Sequence, residues 1–179
     1  EEGVVSLALG LGKTIVDGGI AWSYAPAWPR ANPPVGTPRE LLKLTQTRFW
    51  AVRMGRPPAY DPVAETEYLV EAGLQEAEQD GSLRWLASTY DAASDRLSPG
   101  TGRDGPRVLD FAPLLRLREW EVNEALAALL ALAEASLGMP VEIEVAATLP
   151  ASSEGRLRVG LVQVRAMAAP GEETPVAEA

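Results

Sequence analysis

The tightest constraint on this chain is a helix followed directly by two strands near its C-terminal end. Val122, Leu126, Leu129, Leu130, Ala133 and Leu137 recur at three- and four-residue spacing, which predicts an amphipathic helix over about 119–137. Gly138 and Pro140 stop it, because glycine takes the left-handed cap and proline cannot continue the helix. The pattern then switches to alternation over 141–147, and a second strand is predicted over 157–165. Strands alternating with a few helices imply an α+β (or α/β) domain in which a mixed or antiparallel sheet packs against helices. At 179 residues the chain holds one domain with a real core and not two comfortable ones.

Upstream the elements are short and punctuated. Val4 to Leu9 reads as a buried strand running into Gly10-Leu11-Gly12, then a short helix or loop over 13–16 closes at the turn Asp17-Gly18-Gly19. Residues 20–24 and 47–54 are strand-like, and the proline-rich stretches 25–36 and 55–62 are connections. Thr37-Pro38-Arg39-Glu40 supplies an N-cap, a proline in the first turn and an acid to complement it, so a helix starts there. Residues 67–79 have helical composition but alternate at Tyr68, Val70, Ala72 and Leu74. Asp80-Gly81 followed by strand-like 83–89 predicts a β-hairpin across that dipeptide. Residues 98–106 read as an exposed glycine-rich loop and 107–111 as a short strand. The domain is expected to span 1–167, with 168–179 a disordered tail or linker. The chain opens at Glu1-Glu2-Gly3, without an initiator methionine, and enters a strand pattern at once; this reads as a piece excised from a longer chain, with tag removal as the plainer alternative.

Composition closes several function classes. There is no cysteine, hence no disulfide framework or thiolate metal site. There is no histidine either, which removes the commonest general base and any phosphohistidine carried by this chain. A net charge of -9 opposes nucleic acid and anionic membranes as partners. No apolar run approaches the ~18 residues of a spanning helix and no signal-peptide pattern opens the chain, so a cytoplasmic protein is expected.

The candidate chemistry lies on the two C-terminal strands. Residues two apart on a strand share a face, so Glu142 and Glu144 project together opposite Val141, Ile143, Val145 and Ala147, and Gln163 and Arg165 likewise share a face. If the strands are neighbours, two carboxylates, an amide and a guanidinium converge. Carboxylate oxygens are the hard ligands magnesium prefers, and arginine offers phosphate a fixed fork of donors. The plainer reading is the solvated face of a half-exposed strand. A second candidate is Gly10-Leu11-Gly12-Lys13, where a glycine turn leaving a strand presents amides to a phosphate. It lacks the spacing of a Walker loop, and a tight turn without ligand is its plainer reading. Trp50, Trp85 and Trp120 are expected to serve packing.

Three segments in order resemble the phosphoenolpyruvate synthase and pyruvate phosphate dikinase family, in the C-terminal part of its PEP/pyruvate-binding, ATP-grasp nucleotide domain. They are residues 3–12 followed by Val16-Asp17-Gly18-Gly19, then Met139-Pro140-Val141-Glu142-Ile143-Glu144, then Gly160-Leu161-Val162-Gln163-Val164-Arg165. Asp80-Gly81-Ser82-Leu83 and Leu86-Ala87-Ser88-Thr89-Tyr90-Asp91 are similar to a subgroup of the same family. Two positions depart from it: Lys13 stands where glutamate is frequent, and Ala166 where proline usually follows.

The resemblance implies a fold that clamps ATP between two subdomains and phosphorylates a histidine on a separate domain, which passes the phosphoryl group to pyruvate. It implies that Glu142 and Glu144 hold magnesium, Glu144 foremost, that Gln163 assists metal or phosphate, and that Arg165 binds a phosphate. Gly10 and Gly12 would border the nucleotide. The implied cofactors are ATP and Mg2+, and the implied partners are pyruvate or phosphoenolpyruvate together with two absent parts, the N-terminal ATP-grasp subdomain and the phosphohistidine domain. Alone, such a piece is expected to be inactive and to be capable of forming a homodimer. The alternative is a non-catalytic relative that keeps the fold as a regulatory or interaction module.

Overall fold

Fifteen prolines and sixteen glycines cut this chain into short elements, and its sheets are correspondingly small. The computed structural model describes residues 3–31, 36–55, 68–117, 120–150 and 155–167. The connection predicted over 55–62 lies, after Gly55, outside the described residues, as does the tail 168–179. The described residues form an α+β arrangement with four separate antiparallel sheets, in place of the one sheet expected.

The first sheet pairs β1 (Val5–Leu7) with β2 (Trp22–Tyr24) around the single turn α1 (Lys13–Val16). β1 is shorter and less buried than predicted, and Val4 before it is largely exposed. α2 (Pro38–Leu44) starts as read: the Glu40 carboxylate accepts the Gly36 and Thr37 amides at 3.0 and 3.1 Å. The second sheet pairs β3 (Arg48–Val52) with β4 (Leu69–Gly73).

Over the described residues 68–79 the ambiguity resolves into both states. β4 runs straight into α3 (Leu74–Gln79), where Glu76 accepts the Gly73 amide at 3.0 Å. The predicted hairpin across Asp80-Gly81 is therefore absent. Gly81, at φ 81°, caps the end of α3, and Ser82–Trp85 follows as a 3₁₀ turn instead of a strand. A turn dipeptide after a helix caps it, and only between two strands does it make a hairpin.

The third sheet has β5 (Ser88–Asp91) at its centre, between β6 (Arg96–Pro99) and β7 (Arg107–Val108). The strand predicted over 107–111 stops at Val108 because Asp110 turns the chain. Its carboxylate accepts the Ser88 hydroxyl at 2.8 Å and the Ala112 amide at 3.1 Å, Phe111 takes φ 52°, and α4 (Ala112–Arg116) begins. The fourth sheet is a hairpin of β8 (Val141–Thr148) and β9 (Arg158–Ala166), entered from α5 (Val122–Leu137) through Gly138 at φ 70°.

The main core gathers Leu83, Leu86, Leu109, Phe111, Leu115 and Val122, with Trp85 and Trp120 edge to face at a centroid distance of 5.0 Å. A smaller cluster joins Leu41, Tyr90 and Val108. The predicted apolar stripe of α5 is buried only at Val122 and Leu126, and burial fades along it until Leu137 is exposed. In the hairpin Val141 is buried, Ile143 and Val145 are half-buried with Val145 packed on the main core, and most of β9 is exposed.

Candidate functional site

The strand pairing that the sequence leaves open is present. β8 and β9 are antiparallel neighbours, with Glu142 opposite Arg165 and Glu144 opposite Gln163. These are cross-strand pairs two residues apart on each strand, so all four side chains leave the ribbon on one face. The apolar residues Val141, Ile143 and Val145 leave it on the other, toward the core. A bulge follows at once between Glu144 and Val145, where Gln163 and Leu161 are the successive partners and Val162 is the extra residue. Bulges twist a ribbon and re-aim the side chains beside them.

Arg165 is held by Glu142. Its Nη2 donates to both carboxylate oxygens at 3.2 Å, with both side chains more than half exposed. An ion pair in that much water is worth about 0–1 kcal/mol and opens readily to a stronger anion.

On the same face, Glu144 has a different neighbour. Its Oε1 lies so close to Gly12 that a Cβ built there would stand 2.8 Å from it. The glycine turn, predicted separately, therefore lies against the polar face of the ribbon. The turn is anchored from two sides. The Leu11 amide donates to the Trp50 carbonyl at 2.9 Å, and Gln46, itself buried, accepts the Leu9 amide at 2.8 Å while its Nε2 donates to the Leu9 and Arg48 carbonyls, both at 2.9 Å. Gln46 was not legible as part of the site, since its partner is 37 residues away and nothing in its own neighbourhood signals the contact.

The two glycines do different work. Gly10 sits at φ 86° with the Trp50 carbonyl 2.5 Å from where a Cβ would be, so the backbone itself requires glycine. Gly12 has ordinary helical angles, φ -58° and ψ -12°. The amides of Leu11, Thr14, Ile15 and Val16 are spent inside the turn and on Trp50. Lys13 bonds Asp17 at 2.7 Å and lies 5.8 Å from the centre of the Trp50 ring.

Among the described residues no group of three or more acidic, histidine or cysteine side chains is placed to hold a metal. Magnesium can be held with fewer protein ligands, by one or two carboxylates with substrate phosphates and water completing the octahedron. Glu144 and Gln163 stand opposite each other on the ladder and outside the Arg165 pair.

Away from this face lie two polar clusters that sequence reading did not single out. Arg107 donates from Nη2 to Glu78 at 2.5 Å, from Nη1 to the Thr89 hydroxyl at 2.8 Å, and to the carbonyls of Arg103 and Thr101 at 2.7 and 3.3 Å. Hydrogen bonding from Arg107 pulls the Glu78 carboxyl below its ordinary pKa. Burial pushes the Asp110 carboxyl above its own, against the opposing pull of Ser88 and the Ala112 amide. Both clusters join elements within the body and serve the fold.

No family model, curated protein or solved structure matches this chain. Among the described residues no helix is long and apolar enough to cross a membrane.

Proposed function

We propose that this chain is the magnesium- and phosphate-binding part of an ATP-grasp nucleotide domain, belonging to a cytoplasmic phosphotransferase that makes phosphoenolpyruvate from pyruvate through a phosphohistidine on another domain. The observation that supports this reading is the convergence of Glu142, Glu144, Gln163 and Arg165 on one face of the β8–β9 hairpin, with the glycine turn brought against Glu144. Bound magnesium would supply neutralisation of phosphate charge at that face. Glu144 and Gln163 would hold it, and Arg165 would leave Glu142 for a phosphate oxygen, a stronger partner for a guanidinium. Gly10 shapes the turn and Gly12 gives the carboxylate room. With no histidine in the chain, the phosphoryl acceptor must come from elsewhere, and the chain alone completes no transfer.

Exposed Leu132, Leu137, Leu161 and Val162 on α5 and the hairpin are the kind of apolar surface that a missing subdomain would cover, or a second copy of the chain in isolation. A non-catalytic interaction module is the alternative reading. It is favoured by Lys13, which stands where the family often has glutamate and spends its charge on Asp17. Calorimetric titration with ATP, with and without magnesium, separates the two: magnesium-dependent heat supports the nucleotide domain, and its absence supports the module.

A further inference from the structure

Gly12 poses a problem that its backbone does not explain. A glycine is required where φ is positive or where backbone crowds its α-carbon, and Gly10 meets both conditions. Gly12 meets neither. Its φ of -58° and ψ of -12° are open to every L-residue, and alanine there would lower the entropy of the unfolded chain. The one group within 4 Å of a Cβ at this position is the Glu144 carboxyl, with Oε1 at 2.8 Å and the carboxyl carbon at 3.9 Å. That oxygen is the far end of a flexible side chain, so a methyl group at Gly12 displaces it at small cost to the fold.

We infer that Gly12 is a positioning residue for Glu144: the missing side chain is the slot that holds this carboxylate on the face shared with Gln163 and Arg165. The inference deepens the magnesium–phosphate reading and rests on it for its consequence in binding. Its geometric content stands independently. Glu144 has its cross-strand partner Gln163 on one side and the glycine turn on the other. The turn is rigid because Gln46 and Trp50 fix the backbone on either side of Gly10. A backbone wall beside an exposed acidic side chain removes the rotamers that would cross it, which is how supporting residues preorganise a ligand.

The experiment compares Gly12→Ala with Gly10→Ala in two readouts. The first is thermal unfolding. Gly12→Ala is expected to melt within a few degrees of the unsubstituted chain or slightly above it, whereas Gly10→Ala melts clearly lower. The second is the side-chain carboxyl carbon resonance of Glu144 in glutamate-labelled protein, assigned by its loss in Glu144→Gln. This resonance is expected to move in Gly12→Ala while that of Glu142 stays, which locates the effect of the substitution at Glu144 and not across the whole face. In magnesium–ATP titrations Gly12→Ala is expected to weaken binding by about 10- to 100-fold, the usual cost of losing a supporting contact. An unmoved Glu144 resonance, or a loss of stability in Gly12→Ala as large as in Gly10→Ala, overturns the inference. If the unsubstituted chain binds no magnesium–ATP, the nucleotide reading fails, and the resonance still decides the role of Gly12.

Discussion

Arg165 and Glu142 face each other across the β8–β9 ladder, with one guanidinium nitrogen 3.2 Å from both carboxylate oxygens. Because both side chains are more than half exposed, the pair orders Arg165 without contributing much to stability. Glu142→Gln is therefore expected to change the unfolding free energy by less than about 1 kcal/mol in urea titrations. Arg165→Ala is expected to be equally mild for the fold, yet to weaken ATP binding both with and without magnesium. A large loss of stability in either variant would mean that the ribbon depends on the pair.

Arg107 makes the opposite case. Its guanidinium is mostly buried and binds Glu78, the Thr89 hydroxyl and two loop carbonyls at once. Arg107→Ala leaves several of these without a partner and is expected to cost about 2–3 kcal/mol, read by chemical denaturation. Arg107→Lys should recover only part of that, since an ammonium lacks the planar fork that reaches all four groups.

Glu78 and Asp110 give stability two separable pH dependences. Glu78 has its pKa lowered, so the folded state binds its proton more weakly than the unfolded chain. Its contribution is complete above the ordinary glutamate range and is lost as pH falls through the lowered value. Asp110 has its pKa raised, so the folded state binds its proton more tightly. Stability from this group is complete below the ordinary aspartate range, declines as pH rises through the raised value, and then levels. Asp110→Asn keeps an acceptor for the Ala112 amide and a partner for Ser88. It is expected to remove the decline on the alkaline side of the carboxylate range and leave the acid limb unchanged, as measured by melting temperature against pH.

How much of this was legible follows from where the information sits. The β8 and β9 strands and the helix before them are written in local periodicity and in Gly138 and Pro140, so their bounds match closely. Strand parity alone put Glu142 with Glu144 and Gln163 with Arg165, but whether the two pairs meet depends on a register that periodicity does not specify. The Asp80-Gly81 hairpin failed because the same dipeptide caps a helix or turns a strand, and the preceding six residues chose helix. The division into four small sheets, the approach of Gly12 to Glu144 and the clamp by Gln46 are contacts between segments far apart in the chain. No local pattern announces them.

Glu144 is proposed as the residue through which magnesium ties a nucleotide to this face. The direct measurement is calorimetric titration of the chain with ATP, with and without magnesium, beside Glu144→Ala. Binding is expected to strengthen with magnesium and to lose that dependence in the variant, which should still fold. Heat that is indifferent to magnesium in the unsubstituted chain, or a magnesium dependence that survives in Glu144→Ala, would contradict it.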